Sequence, residues 1–355
     1  MSVESFIVGI IENTKSHPVM RAVLWLCSFC FCGVVSLRNF LYDKHFLKAH
    51  KVPSLVISVG NIVAGGTGKT PFLALLCKSL EGKAKLAIIT RGYRSQLEKQ
   101  KNPVLVSQGN GSIFPASICG DEPYFLARTT SASLWVGRNK WQSAKNASAD
   151  GAKILLLDDG MQHRRLHRDI EIVLVDAKDP FGKGFFLPRG YLRDSPRRLL
   201  QADFLLANHV ETEKEFVEIQ KKLSKYSAAP VIALKPLCKV EEKTENSLVG
   251  AFCGIAKPDR FFSSLQKMGF EVKEKIVCDD HTIPNDEQLE AFARRLKNQS
   301  ASAILCTEKD FVKLSRKKQF SLPIFPVKME LMISFGLENW KKLLEKIEKK
   351  LITSH

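Results

Sequence analysis

Residues 60 to 71 read Gly-Asn-Ile-Val-Ala-Gly-Gly-Thr-Gly-Lys-Thr-Pro, and their composition is typical of a phosphate-binding turn. Closely spaced glycines let backbone N–H groups converge on phosphate oxygens, and a helix that starts there adds partial positive charge. Lys69 would reach the β and γ phosphates of a nucleotide, and the Thr70 hydroxyl would bind Mg²⁺. A glycine turn without a nucleotide is the alternative. The predicted nucleotide-binding residues are Gly65, Gly66, Thr67, Gly68, Lys69 and Thr70.

Two pairs of carboxylates could serve the same phosphoryl-transfer centre. Asp158 and Asp159 follow four apolar residues, and an apolar strand that ends in an acidic residue commonly places it beside the bound Mg²⁺. Asp121 and Glu122 stand in Gly120-Asp-Glu-Pro123, at a predicted helix start, where helix capping by Asp121 is the alternative. The predicted metal ligands are Thr70, Asp158, Asp159 and Glu122.

Two histidines that follow Asp158 and Asp159 have a spacing that resembles that of metal ligands. His163 and His167 are separated by one helical turn in sequence, but three arginines, Arg164, Arg165 and Arg168, lie between and beside them. Because these positive charges oppose the binding of a cation, contact with an anion or a structural role is favoured.

The surrounding pattern predicts the elements that hold these residues. Leu55–Val59 is a β-branched run typical of a buried strand, and residues 72–80 repeat apolar side chains at helical spacing. Further apolar runs alternate with helical or loop segments, which predicts an α/β fold with a P-loop NTPase-like parallel sheet. These strands are Ala84–Thr90, Pro103–Ser107, Leu134–Gly137, Lys153–Asp158, Ile170–Asp176 and Asp203–Asn208.

Composition limits the class of protein and the kind of partner. The 355 residues, 45% of them hydrophobic, are enough for two folded domains. The net charge of +17 calls for an anionic partner, which could be nucleic acid, an acidic membrane surface or a phosphorylated substrate. Nine scattered Cys fit a reducing compartment better than a disulfide framework.

An uncharged apolar run over residues 22–37 lies between Arg21 and Arg38. As a helix it would cover about 24 Å, less than the membrane hydrocarbon core of about 30 Å. A helix in the membrane interface, a short span and a buried core helix are the three interpretations. Basic residues downstream would suit anionic headgroups, so monotopic or peripheral membrane association is favoured. They are Lys44, His45, Lys48, His50 and Lys51.

A second, smaller α/β domain is expected towards the C-terminus. Residues 231–240 are extended in character, 241–246 are polar and turn-like, and strands and helices alternate again from 248 onwards. Residues 337–351 carry the apolar stripe of an amphipathic helix. The predicted division is 1–45 for an N-terminal membrane-associating helical segment, 46–230 for the P-loop domain, 231–253 for a paired-strand linker and 254–355 for the smaller domain.

Further motifs follow one another along nearly the whole chain. They are Ser58-Val-Gly-Asn61, residues 65–71, Thr90-Arg-Gly-Tyr93, Gly120-Asp-Glu-Pro123, residues 158–163, Phe181-Gly-Lys-Gly184, Leu187-Pro-Arg-Gly190, Leu192-Arg-Asp194, residues 254–258, Arg260-Phe-Phe262, Asp280-His281 and Thr307-Glu-Lys-Asp310. In this order they resemble the motifs of the tetraacyldisaccharide 4'-kinases, the lipid A kinases of Gram-negative bacteria. The family's variant P-loop accounts for Val63, where the general pattern has glycine. Departures at Met161, Lys183, Arg189-Gly-Tyr191 and Thr282 concern contacts with the substrate.

The resemblance implies an activity. The γ-phosphoryl group of ATP would be transferred, with Mg²⁺, to the 4'-hydroxyl of a tetraacylated disaccharide 1-phosphate at the cytoplasmic face of the bacterial inner membrane. A sugar hydroxyl needs a carboxylate to accept its proton. The family implicates Asp121 as this base, assisted by His281, with Lys69 also catalytic. Implied substrate contacts are Asn61, Arg91, Gln162, His163, Arg189 and Arg193, and the candidates for the 1-phosphate are Arg91, Arg164, Arg189 and Arg193.

Two other classes of function are weaker alternatives. A membrane-associated P-loop ATPase switch of the partitioning type shares the Gly-Gly-x-Gly-Lys-Thr pattern, but it carries a second Lys where this chain has Ala64, and it lacks a second α/β domain. A nucleic-acid-binding protein is disfavoured because no aromatic-basic recognition module is visible. The expected partners are therefore the acylated substrate and an anionic membrane surface. The oligomeric state is not predicted.

Overall fold

The protein divides into two compact units, each built on mostly parallel strands. The computed structural model describes residues 3–12, 14, 17–255, 257–279, 282–314 and 319–353. One unit comprises Met1–Lys235 and Met332–His355, and the other comprises Pro236–Leu331. The predicted α/β class is confirmed.

The first unit begins with helices α1 (Val3–Ile11) and α2 (Pro18–Asp43) and continues as alternating strands and helices. The strands are β1 (Leu55–Gly60), β2 (Leu86–Thr90), β3 (Val104–Ser107), β4 (Ser133–Val136), β5 (Ile154–Asp158), β6 (Ile170–Asp176), β7 (Phe204–Asn208) and β8 (Val231–Lys239). The helices are α3 (Lys69–Leu80), α4 (Ala116–Cys119), α5 (Asp121–Thr129), α6 (Lys140–Ala149) and α7 (Glu213–Leu223). Short 3₁₀ turns cover Leu97–Lys99, Gly182–Gly184 and Pro196–Gln201.

The remaining elements form the second unit, and a final helix belongs to the first. They are β9 (Leu248–Cys253), α8 (Pro258–Lys267), β10 (Glu271–Val277), α9 (Asp286–Asn298), β11 (Ala303–Thr307), α10 (Glu308–Phe311), β12 (Ile324–Phe335) and α11 (Leu337–Thr353). Strands β8 and β12 each cross the division between the units.

The sheet of the first unit has the strand order β8-β7-β6-β1-β5-β2-β4-β3. Strands β1, β2, β5, β6 and β7 are buried along their whole length, because helices cover both faces of the sheet. On one side, Ala144 and Ala147 of α6 pack against Leu155. Ile219 and Leu223 of α7 contribute to another core cluster, on β6 and β7. The carboxyl ends of β1, β2, β5 and β7 therefore meet at one edge of the sheet, where ligands bind in open α/β sheets.

The second unit has the parallel order β10-β9-β11-β12. Alternate residues of β9 face opposite sides: Ala251 packs in the cluster that contains Phe262 of α8, and Phe252 in the cluster that contains Phe292 of α9. Helix α9 starts with a complete capping box, in which Asn285 and Gln288 satisfy each other's backbone N–H groups.

The structure differs from the sequence-based description in four places. Strand β3 pairs antiparallel with β4, whereas the sequence pattern predicts a parallel sheet. Helix α6 has no counterpart among the elements predicted from the sequence. Strand β9 was placed in a linker but lies between β10 and β11 in the sheet of the second unit. Helix α11 was placed in the C-terminal domain but belongs to the first unit, where Trp340 meets Phe72 edge to face with ring centroids 6.2 Å apart. An amphipathic stripe shows that a helix needs a partner, but not which one.

Helix α2 extends well beyond the uncharged run. Its 26 residues correspond to about 39 Å, and within the described residues it is the one helix long and apolar enough to cross a membrane by length and composition. One face is buried, at Leu24, Ser28, Val35 and Asn39. The opposite face exposes large apolar side chains, including Leu26, Phe29 and Val34, each at least 60% exposed. The core-helix interpretation therefore does not fit α2.

Polar contacts fix the end of α2 to the segment that follows β6. Asn39 Nδ2 donates to Asp194 Oδ1 at 2.8 Å, and Arg38 pairs with Asp194 Oδ2 at 3.2 Å. Asp194 is 1% exposed, so its carboxylate depends on these donors. Arg164 donates to the backbone carbonyl of Asn39 at 2.9 Å and pairs with Asp43 at 2.6 Å.

We predict that Asn39→Ala loosens α2, because it leaves the buried carboxylate of Asp194 with one donor fewer. Such a loss costs about 1–3 kcal/mol, so backbone amides of α2 should exchange with solvent roughly tenfold faster or more. Hydrogen exchange followed by mass spectrometry measures this. Ser36→Ala, at an exposed position of the same helix, is the matched control. Equal exchange in the two variants would contradict the assigned role of the Asn39–Asp194 bond.

Candidate active site

The turn between β1 and α3 has the backbone of a phosphate-binding loop. Gly65 and Gly68 adopt φ values of 104° and 94°, which L side chains rarely tolerate, and Gly68 caps α3. Thr67 is fixed from both sides: Asn61 Nδ2 donates to its hydroxyl at 3.1 Å, and Asn208 Nδ2 donates to its carbonyl at 3.1 Å. Strands β1 and β7 thus hold the loop that precedes the helix start.

Asp159, the residue that follows β5, lies between two cations. Lys69 Nζ is 3.5 Å from Asp159 Oδ1, and Arg193 donates to both carboxylate oxygens, at 2.6 and 3.0 Å. Burial alone would raise the pKa of Asp159, but the charges of Lys69 and Arg193 outweigh it and hold the pKa well below its usual range. The carboxylate is therefore ionised at any working pH. Arg193 also donates to Asn61 Oδ1.

Asp158, one residue earlier, has a different environment. It is 6% exposed and accepts a hydrogen bond from Thr90 Oγ1, at the end of β2, at 2.8 Å. Burial and then the nearby charge of Glu122 raise its pKa. The two neighbouring carboxylates are thus held in different electrostatic states, an arrangement common at functional sites.

Lys140 is a residue of this site that sequence reasoning missed. It opens α6, is 5% exposed, and its ammonium donates to the carbonyls of Asp158 and Asp159 at 2.6 and 2.9 Å. Burial lowers its pKa, against the charges of the two aspartates. Asp159 adopts φ 48°, a left-handed conformation uncommon for a non-glycine residue, and Lys140 bonds this turn in place. The sequence offers one signal for this role: Lys140 stands just after β4, at the carboxyl edge of the sheet, where the other residues of the site lie.

The next residues of the motif, Gln162 and His163, line the same turn. Gln162 Nε2 donates to the carbonyl of Asn61 at 2.8 Å. Burial, followed by the charges of Lys140 and Arg168, lowers the pKa of His163 to about 4, so the ring is neutral near pH 7. The Nε2 atom of His163 is buried and has no partner within the described residues. The positive charges of Lys140 and Arg168 beside this ring oppose the binding of a metal ion.

Asp121 and Glu122 occupy the first turn of α5, which packs against α3. Gly120, with φ 94°, allows the chain to turn from α4 into α5. The charge of Glu122 reaches Asp158, which places this acidic pair on the same side of the sheet edge as the turn after β5. His281, the expected partner of Asp121, lies outside the described residues.

The arginines expected to bind substrate have separate surroundings. Arg91 pairs with Glu98 at 2.5 Å, and Arg164 pairs with Asp43 in the docking of α2. Arg193 forms an ion pair with Asp159 at 2.6 Å. Arg189 stacks on the Phe185 ring, with its guanidinium carbon 4.8 Å from the centroid, and makes no ion pair with the described residues. The structure therefore brings Arg193 to the phosphate loop and places the other three at other contacts.

The donor set fits Mg²⁺. Within the described ranges, no three His, Cys, Asp or Glu side chains converge as a ready-made metal cage. Mg²⁺ does not need one, because it keeps several waters and takes one or two carboxylates together with substrate phosphates. Asp158 ends β5, Asp159 follows it, and Thr70 stands at the start of α3 beside Lys69, so oxygen donors of the right kind lie near the loop.

Comparison with known proteins identifies the family. A profile described as Tetraacyldisaccharide-1-P 4'-kinase matches residues 20–350. The tetraacyldisaccharide 4'-kinase of Halothermothrix orenii is 34% identical over 342 residues, 88% of each chain, and that of Chlamydia abortus is 35% identical over 339 residues, 91% of this chain and 89% of that protein. LpxK from Aquifex aeolicus, solved in complex with ATP, superposes with a TM-score of 0.72 and 28% identity, over 92% of this chain and 99% of that one. As its motifs predicted, the chain belongs to the tetraacyldisaccharide 4'-kinase family.

Proposed function

We propose that this protein transfers the γ-phosphoryl group of ATP to the 4'-hydroxyl of a tetraacylated disaccharide 1-phosphate, a step of lipid A synthesis. Family membership supports this reaction, and so does the Lys69–Asp159–Arg193 cluster beside the phosphate-binding turn. Incubation of the purified protein with ATP, Mg²⁺ and the disaccharide 1-phosphate in detergent should give a bisphosphorylated product. ATP consumption that does not depend on the acceptor would indicate an ATPase switch instead.

In this proposal the turn from Gly65 to Thr70 binds the phosphates of ATP. Its backbone N–H groups and the start of α3 stabilise negative charge, and Lys69 neutralises charge that develops on the transferred group. Thr70, Asp158, Asp159 and Glu122 would hold Mg²⁺, which would supply positive charge to the phosphates of ATP when it is bound. Because Asp159 already pairs with Lys69, the lysine is held near the phosphate position before ATP binds.

Asp121 is proposed as the base that accepts the proton of the sugar hydroxyl. It stands at the start of α5, next to Glu122, whose charge reaches Asp158. A base must be ionised and within hydrogen-bond reach of its proton, and a histidine can hold it in place. His281 has this assisting role in the proposal, and Asn61, Arg91, Gln162, His163, Arg189 and Arg193 are proposed to contact substrate.

We further propose that the protein acts at an anionic membrane surface, the cytoplasmic face of the bacterial inner membrane, with α2 lying in the interface. The buried residues of α2 recur along one stripe from Leu24 to Asn39, while the opposite face is apolar and exposed. A helix that spans the bilayer would have to give up the contacts of that stripe. An amphipathic helix lying in the interface keeps them and still buries its apolar face in lipid.

Replacement of Lys69 tests the phosphate loop. We expect Lys69→Ala to lower kcat by two orders of magnitude or more, since removal of one preorganised charge from a transition state costs about 3–4 kcal/mol. Thr70→Ala should raise the Mg²⁺ concentration needed for activity more than the KM for ATP. Steady-state kinetics measure both. Lys78→Ala, an exposed position of the same helix, is the control. Near-normal turnover in Lys69→Ala would refute the assignment.

Replacement of Asp121 tests the base. Asp121→Asn keeps the shape and removes the basicity, so kcat should fall much further than KM for ATP rises. His281→Ala should also lower kcat, and the double variant should lose less than the product of the single losses if the two act as one unit. Replacement of Asp159, in contrast, should shift the Mg²⁺ dependence. Fully additive losses of kcat in the double variant, or rescue of Asp121→Asn by excess Mg²⁺, would contradict the proposal that Asp121 and His281 accept the proton as one unit.

Polar substitutions on the exposed face of α2 test membrane association. Deletion of residues 1–37 would also remove buried contacts, so the double substitution Leu26→Gln and Phe29→Gln is the cleaner change. Each apolar side chain buried in lipid contributes about 1.5–3 kcal/mol, so binding to anionic vesicles should fall at least tenfold in a flotation assay. Val217→Gln, at an exposed apolar position of α7, is the matched control. Undiminished flotation of the double variant would contradict the interfacial placement.

A further inference from the structure

Arg168 and Glu171 form a largely buried ion pair that has no role in the reaction as described so far. Arg168 Nε is 3.1 Å from Glu171 Oε2, and the two side chains are 13% and 9% exposed. The cost of removing two charges from water offsets most of their attraction, so a buried pair is weak evidence for a contribution to stability. What the pair holds in place is therefore the relevant question.

The pair connects the turn after β5 to the middle of the sheet. Arg168 Nη1 donates to the carbonyl of Met161, in that turn, at 3.2 Å. The other end of the pair, Glu171 Oε1, accepts from Ser58 Oγ at 2.7 Å. Ser58 and Glu171 are register partners in the parallel strands β1 and β6. The carbonyl of Met161 is thus tied to two buried strands through side chains.

The turn packs directly against this network. A Cβ atom at Gly160 would stand 2.4 Å from Ser58 Oγ, closer than side chains approach one another. A Cβ atom at Gly60 would stand 2.6 Å from Met161 Cβ, so glycine is needed there as well. Within the turn, His163 N donates to the carbonyl of Gly160 at 2.9 Å. The backbone from 160 to 163 is therefore closely fitted to the strand end beneath it.

The two halves of the turn have different supports. Lys140 donates to the backbone carbonyls of the first half, residues 158–159, at 2.6 and 2.9 Å. Arg168 donates to one carbonyl of the second half, residues 161–163. In the proposed function the first half holds Mg²⁺, and the second half carries two side chains that contact substrate. A change at Arg168 should therefore act on the second half alone.

We propose that Arg168 and Glu171 are positioning residues for the acceptor: they hold the second half of the turn so that Gln162 and His163 meet the acceptor sugar. The inference rests on the proposed function and adds to it the support of its acceptor side. Neither member of the pair touches a reacting atom. Their effect on the reaction passes through the backbone at Met161.

A variant that removes both charges together gives the cleanest test. Arg168→Met alone would leave the carboxylate of Glu171 buried and unpaired, which destabilises a fold. The double variant Arg168→Met, Glu171→Gln leaves no charge of the pair behind, and its amide oxygen can still accept from Ser58. Its unfolding temperature should equal or exceed that of the wild type. Its kcat/KM for the acceptor should nevertheless fall about tenfold or more, because a displacement of about 1 Å can cost roughly a hundredfold in rate.

Kinetics with each substrate separate positioning from general damage. The KM for ATP and the Mg²⁺ concentration for half-maximal activity should stay unchanged, because Lys140 still supports the first half. In a background that carries Gln162→Ala and His163→Ala, the double variant should cause little further loss, since it acts through those side chains. Arg168→Lys, which keeps the charge and one donor group, should retain most of the acceptor efficiency.

Hydrogen exchange provides a readout that does not depend on activity. The amide of His163 is bonded within the turn, so peptides that cover residues 160–164 should exchange about tenfold faster in the double variant. Arg165→Met removes an exposed arginine from the same segment and is the matched control for exchange and for kinetics.

Four outcomes would overturn the proposal: equal exchange in the double variant and the control, an unchanged kcat/KM for the acceptor, a matching shift in the Mg²⁺ requirement, or a fall in unfolding temperature in step with the loss of activity. If the wild type does not phosphorylate the acceptor, the proposed function itself is wrong. The exchange measurement then still decides whether the pair holds the turn.

Discussion

The partly buried ion-pair cluster around Asp159 is the interaction on which the rest of the first unit depends. Lys69 comes from α3, Asp159 from the turn after β5, and Arg193 from the segment after β6, so three separate parts of the chain meet there. A partly buried charge is costly unless it is paired, and none of the three groups can be moved without leaving the others uncompensated. Lys140 also fixes this turn, because its ammonium donates hydrogen bonds to the backbone carbonyls of Asp158 and Asp159.

The same segment joins the phosphate loop to helix α2. Arg193 and Asp194 are consecutive: the first binds Asp159, and the second is the buried partner of Asn39 and Arg38 in α2. Their backbone N–H groups both donate to the carbonyl of Ile62, at 2.8 and 3.2 Å, in the loop after β1. The position of α2 and the position of the phosphate loop are therefore set by the same two residues.

Local signals made the centre of the fold predictable, and long-range contacts account for what was missed. The strand, glycines and helix of the phosphate loop are adjacent in sequence, and Asp158 ends a run whose burial is evident from its composition. Lys140 has its partners 18 and 19 residues away, and a lysine at a helix start usually faces solvent. The Asn39–Asp194 bond spans 155 residues. The partner of α11 could not be predicted either, because any apolar surface would satisfy its stripe.

The loop from Gly182 to Asp194 shows how one short segment can serve several surfaces. Its backbone is bonded to itself, since Tyr191 N donates to Gly182 O at 2.9 Å and Leu192 N to Phe185 O at 3.0 Å. Its side chains nevertheless have different partners: Tyr191 bonds to Glu12 after α1, Arg189 stacks on the Phe185 ring, and Arg193 pairs with Asp159 beside the phosphate loop. Because the backbone is held as one piece, these side chains keep fixed mutual distances.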